Sequence, residues 1–170
     1  MNHLATSKED ILAASRDLIK ENGWAAVSIR AVASRCSVSA GTIYNYYESK
    51  ADLLSDTIES IWHEIFFHPE DEQIFHDVES CISWIYERLE YGNSQFPGFF
   101  SLHSFGFMRD EKTSGKKRMM KTWGHILNGL CEVLENDPKV RADVFDQEFT
   151  EKKFADILFS LILVSMIRQD

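Results

Sequence analysis

The chain has 170 residues, enough to bury a sizeable core, and its 44% hydrophobic and 26% charged residues exclude a disordered or low-complexity protein. The formal net charge of −9 excludes a uniformly basic surface, but it is unevenly spread: residues 1–54 hold six basic and six acidic side chains, and residues 55–170 hold twelve and twenty-one. Only the first part can lie against phosphate without strong repulsion, and the acidic remainder discourages contact by the wrong face.

The first residues, Met1 to Thr6, lack a basic stretch followed by an apolar one, so no secretory leader is expected. The first helix is predicted from Ser7-Lys8-Glu9-Asp10, a capping-box pattern with Asp in place of Glu. Its apolar stripe is Ile11, Ala14, Leu18 and Ile19, and Gly23 is its natural stop. A second short helix opens at Ser28, with Ile29, Val32, Ala33 and Cys36 inward. After the polar break Ser37-Val38-Ser39, Ser39 caps a third short helix reaching about Tyr46. Ser49-Lys50-Ala51-Asp52 repeats the capping pattern and opens a long fourth helix with the stripe Leu53, Leu54, Ile58, Ile61, Trp62 and Ile65. Pro69 and Glu70-Asp71-Glu72 end this part.

Three longer helices are predicted further on. One covers about 72–91, with Val78, Cys81, Ile82, Ile85 and Leu89 inward. Another covers about 114–136, with Met119, Trp123, Ile126, Leu127, Leu130 and Leu134 inward. The last covers about 149–168, with Phe154, Ile157, Leu158, Leu161, Ile162 and Met166 inward. Its apolar stretch 157–167 is far short of the roughly 20 residues a membrane span needs, so it reads as a buried or interface helix. Between the first two lies an aromatic and glycine-rich segment, 96–108. Pro69, Pro97 and Pro138 all fall between periodic segments, and no stretch alternates with period two, so the fold expected is all-α. Cys36, Cys81 and Cys131 are odd in number and widely spaced, as in reduced cysteines of a cytoplasmic protein.

The informative stretch is Ser28 to Leu54. Two short helices joined by a tight turn are what a helix-turn-helix requires. Its second helix must carry small and polar groups outward to enter the major groove. Ala40, Gly41, Thr42 and Asn45 meet that need, while Ile43 and one of Tyr46 and Tyr47 anchor the helix to the core. Gly41 near a helix start costs up to about 1 kcal/mol relative to Ala, which suits a position where something approaches the backbone. Phosphate contacts call for hydroxyls, helix N-termini and amines, pointing to Ser28, Ser39, Tyr44 and Lys50. Asn45 suits a base edge, adenine most naturally, and Arg30 can reach phosphate or base.

This pattern resembles the TetR family of transcriptional regulators over residues 7–67. It is carried by Gly23-Trp24, Ser28-Ile29-Arg30, and Val38-Ser39-Ala40-Gly41-Thr42-Ile43-Tyr44, followed by Tyr47, Ser49-Lys50 and Leu53-Leu54. The family usually has Phe at Tyr47 and commonly Thr at Ser28. The resemblance implies an N-terminal three-helix module (7–67) and a C-terminal helical ligand-binding and dimerisation domain (68–170). It implies that Thr42, Tyr44 and Lys50 contact phosphates and that the third helix reads the major groove. With the neighbouring Ser28, Arg30, Ser39, Ala40, Gly41, Asn45 and Tyr46, these make up the candidate DNA-binding set. The expected protein is a homodimeric repressor on palindromic double-stranded DNA, released by a small, largely apolar ligand, with no cofactor. Many members continue for a further helix where this chain stops at Asp170.

Candidate ligand residues are the aromatics Trp62, Trp84, Phe99, Phe100, Phe105, Phe107 and Trp123, with His103 and Met108; a plain aromatic core is the competing reading. The alternative function is a DNA-binding regulator whose C-terminal domain dimerises or binds protein without a small-molecule ligand. His63 and His68, five apart, point away from each other on a helix and make a poor metal pair. Lys116, Lys117, Arg118 and Lys121 read as a solvated helix start. An enzyme acting through His63, His103 or His125 has no supporting motif.

Overall fold

Four serines begin four of the helices. Ser7, Ser28, Ser39 and Ser49 each have extended backbone. Their side chains accept the N–H three residues on: Asp10 at 3.1 Å, Ala31 at 3.2 Å, Thr42 at 3.1 Å and Asp52 at 3.1 Å. The Asp10 carboxylate returns the bond to the Ser7 N–H at 2.9 Å, completing the capping box.

The computed structural model describes residues 6–67, 77–100 and 114–168, the side chains of 114–122 excepted. These residues form α1 (Lys8–Asn22), a 3-10 turn (Trp24–Ala26), α2 (Ile29–Arg35), α3 (Ala40–Tyr44), α4 (Lys50–Phe66), α5 (Val78–Gln95), α6 (Ser114–Asn136) and α7 (Glu151–Arg168), with no strand among them. The fold is all-α. Gly23 ends α1 at a φ of 76° that L side chains rarely adopt. Ser37 turns the chain between α2 and α3 at φ 57°, and the Val38 N–H closes that turn onto the Ala33 carbonyl at 2.9 Å.

One apolar cluster runs from Ile11 to Met166. α4 joins its two ends: it packs on α1 and also on α5 and α6, while α7 packs on α5 and α6. Leu53 and Leu54 of α4 are buried in the first part and Trp62, Ile65 and Phe66 in the second. The end of α4 is gripped from two sides. From α5, Arg88 donates from Nε to the Ile65 carbonyl at 2.5 Å and from Nη2 to the Glu64 carbonyl at 3.4 Å. This places a cation at the negative end of the helix dipole. From α1, Arg16 (3.0 Å) and Lys20 (2.6 Å) pair with the Glu64 carboxylate. Gly92 brings α5 still closer, since a Cβ there would stand 2.4 Å from Ile65 Cδ1.

Three boundaries differ from the sequence expectation. α3 stops at Tyr44, with Asn45 as its C-cap. α5 is capped by Asp77 and runs to Gln95, one turn beyond the expected end near 91, because the packing at Gly92 sustains it. The inward stripe of α7 is corrected too. Ala155, Phe159, Ile162, Leu163 and Met166 are buried, whereas Ile157 (48%) and Leu161 (61%) are exposed. This helix is apolar on both faces, so periodicity does not tell which one the core takes.

Candidate nucleic-acid interface and effector cavity

The α2–α3 pair presents a surface made by its caps. Ser39 Oγ holds the Thr42 N–H and lies 3.0 Å from Thr42 Oγ1, so the first turn of α3 is fixed by two side chains. Ile43 is fully buried and Tyr47 nearly so, anchoring the inner side of the segment. Tyr44 is 55% exposed, and Arg30, Gly41, Asn45 and Lys50 are exposed around it; Ser28, Ala40 and Thr42 are half-buried.

Gly41 is informative through what it lacks. A Cβ there would meet only Ser39 Oγ, at an ordinary 3.6 Å. Nothing among the described residues requires a glycine at this exposed helical position, where Ala is the better helix former. Tyr46 differs from the other candidates, because its hydroxyl donates to the Thr6 carbonyl at 2.6 Å and is spent tying the residue before the α1 cap to the turn that follows α3. Tyr47, not Tyr46, is the core anchor.

The aromatic candidates divide. Trp62 is 1% exposed and forms the hub of a ring cluster. Its centroid lies 5.6 Å from Phe99, 5.7 Å from Phe100 and 5.7 Å from Trp123, all in edge contact, and 5.8 Å from Phe66 in a stack. These rings fill the core and pack on one another. Trp84 instead lines a cavity of about 160 Å³ between the end of α4, α5 and α6, together with Phe66, Phe67, Cys81, Ile85, His125, Ile126, Gly129 and Leu130. His103, Phe105, Phe107 and Met108 lie outside the described residues, as do His68 and the side chains of Lys116, Lys117, Arg118 and Lys121.

Cys81 and His125 supply polar atoms to an otherwise apolar wall. Burial pushes the Cys81 thiol up to about 11, so it stays protonated and unreactive at neutral pH. The sequence reading passed over this cavity because its wall exists only once α5 meets α6. The signal available was the shared inward face of Cys81 and Ile85, with no clue to what stands opposite. Among the described residues no group of three or more His, Cys, Asp or Glu side chains is placed to hold a metal ion.

Residues 11–57 match the profile of "Bacterial regulatory proteins, tetR family". The chain is 38% identical over 48 residues to the HTH-type transcriptional regulator UidR of Escherichia coli K12, a stretch covering 28% of this chain and 24% of that protein. It is 45% identical over 47 residues to the HTH-type transcriptional repressor KstR of Rhodococcus jostii RHA1, covering 28% and 22%. The match thus spans about a quarter of the length of these curated relatives. Among solved structures, the Bacillus subtilis transcriptional regulator FadR in complex with stearoyl-CoA aligns with a TM-score of 0.65 at 19% identity, covering 95% of this chain and 86% of that one. BioQ with its double-stranded DNA operator aligns with a TM-score of 0.59 at 16% identity, covering 96% and 86%. At these identities the structural likeness concerns the fold.

Proposed function

From the match of residues 11–57 to the tetR family of bacterial regulatory proteins we propose that the protein is a cytoplasmic transcriptional repressor that binds palindromic double-stranded DNA as a homodimer. Residues 7–67 form the DNA-binding module and 68–170 the regulatory and dimerisation part. The observation that carries the reading is the exposed face of α2–α3. Gly41, Thr42, Tyr44 and Asn45 stand outward on a helix anchored from behind by Ile43 and Tyr47. Among the described residues no close contact calls for the glycine there. Ala40 and Gly41 let the α3 backbone enter the major groove, and Asn45 meets base edges. Ser28, Ser39, Thr42, Tyr44 and Lys50 take phosphates, with Arg30 on phosphate or base.

The dimer forms through α7, whose outer face carries Ile157, Leu161 and Val164, all more than 40% exposed. The stearoyl-CoA bound in the FadR structure is an example of a ligand held by this fold. Here the cavity at α4, α5 and α6 receives a small, largely apolar effector. The effector favours a dimer geometry whose recognition helices no longer match successive major grooves about 34–36 Å apart, and the operator is released.

Selection of DNA from a random pool by the purified protein tests the first part. The expected product is a palindrome with half-sites about one helical turn apart; absence of any enriched sequence overturns it. On the selected DNA, Lys50→Ala should weaken binding on all sequences and lower the salt slope by about 1. A changed sequence preference would reassign Lys50 from phosphate to base. Operator complexes that no cavity ligand dissociates would favour a regulator without an effector.

A further inference from the structure

Two of the buried polar atoms are indole nitrogens on facing helices. The indole N–H of Trp62 and that of Trp123 are both shut off from solvent, and among the described residues neither has a hydrogen-bond acceptor within reach. Indole nitrogen can only donate, so a buried indole without an acceptor loses its bond to water and gains nothing in return. The two rings belong to facing helices, α4 and α6, and touch edge to face with centroids 5.7 Å apart. If the core needed only aromatic bulk there, Phe would provide it at both positions without that cost.

Both indoles adjoin the cavity wall. Trp62 stacks on Phe66, which lines the cavity, and Trp123 lies in the turn of α6 that supplies His125 and Ile126 to it. We propose that Trp62 Nε1 and Trp123 Nε1 are the polar recognition elements of the effector site: they donate to a carbonyl oxygen on a compact ligand whose apolar body occupies the cavity. The inference rests on the cavity being an effector site. A volume of about 160 Å³ is close to the roughly 150 Å³ void that accepts benzene in an engineered core, which sets the body at about one ring. A neutral carbonyl fits better than a carboxylate, since a buried anion needs a cation or several donors beside it. Phe66 is the ring that must shift to admit the oxygen, and it lies on the gripped last turn of α4.

The test compares ethylbenzene with acetophenone, which match in shape and differ in the carbonyl. The indole N–H resonances of the ¹⁵N-labelled full chain are followed by NMR and assigned through Trp62→Phe and Trp123→Phe. Both compounds are expected to bind, acetophenone about tenfold more tightly, the upper end of what one net hydrogen bond contributes. Only acetophenone should move the Trp62 or Trp123 indole signal downfield. Trp62→Phe or Trp123→Phe should bring the ratio of acetophenone to ethylbenzene affinity down to about one. Equal affinity of the two compounds for the unaltered protein, or an advantage that survives in both variants, overturns the inference and leaves the effector site standing. If neither compound binds, the inference and the effector reading fall together.

Discussion

The two halves of this chain use aromatic and small residues to opposite ends. In residues 7–67 each of α1 to α4 is fixed by a serine cap, and the tyrosines are sorted by the surface they serve: Tyr47 inward, Tyr44 outward, and Tyr46 tied to Thr6. In residues 77–168 the helices are long, and Phe99, Phe100 and Trp123 meet Trp62 of α4 edge to face. The first half is determined by backbone hydrogen bonds at helix ends, which are local. The second is determined by which rings find one another across helices, which is not.

The comparison breaks most sharply if the halves unfold separately. Ile43 is fully buried in the cluster that α4 carries into the second half. Ile43→Ala should cost about 2–5 kcal/mol in urea denaturation and leave a single transition, because the core is continuous. Two resolved transitions would show that α4 does not couple the halves.

Two helical glycines, one from each half, sharpen the contrast. Gly92→Ala forces a Cβ to within 2.4 Å of the buried Ile65 and should destabilise by about 1–3 kcal/mol. Gly41→Ala meets only Ser39 Oγ at 3.6 Å and should leave stability unchanged or raised by up to about 1 kcal/mol, while weakening operator binding. Thermal unfolding with DNA titration separates the two; a stability loss at Gly41 would return that glycine to the fold.

A smaller effect is expected on α7. Leu161→Ala removes an apolar side chain that is 61% exposed in one copy, so the fold should persist while the dimer dissociates about tenfold more readily in analytical ultracentrifugation. An unchanged dimer constant would move the interface elsewhere.

The smallest effect concerns acid. Ser80, through hydroxyl (2.6 Å) and N–H (2.8 Å), and then Lys139 (3.3 Å), hold the Asp77 carboxyl down to about 2 from its ordinary 3.8. Its contribution is fully present above pH 3.8 and is lost as pH falls toward 2. Asp77→Asn should flatten the melting temperature between pH 4 and 2, lowering it at pH 7, where the charge contributes in full, and leaving it unchanged near pH 2. An unaltered acid profile would mean that the cap persists without its charge.

What was legible in the sequence follows the same division. Ser7, Ser28, Ser39 and Ser49 were readable as caps because a cap depends on residues three apart. Gly23 was readable as a stop for the same reason. The cap at Asp77 went unread because an earlier helix start, near 72, satisfied the pattern equally well. The burial of α7 was misread because Ile157 and Leu161 are as apolar as Phe159 and Leu163, and only packing on α5 and α6 separates them. The cavity was out of reach because Cys81 and His125 lie 44 positions apart and meet only in the folded chain. The surface of α3 was the most legible part of the candidate site: outward Thr42, Tyr44 and Asn45 follow from one anchored residue, Ile43, and the helical period.

The grip on the last turn of α4 limits how the chain can be divided. Cutting after Phe67 would strip Trp62, Ile65 and Phe66 of the rings and aliphatic groups that cover them. It would also remove the guanidinium that satisfies the carbonyls of Glu64 and Ile65. The released fragment would carry an adhesive apolar end and a fraying terminus. The recognition helix is therefore not a portable cassette: a chimera that borrows it must also borrow the α5 turn from Trp84 to Gly92, or supply its own guanidinium at the joint.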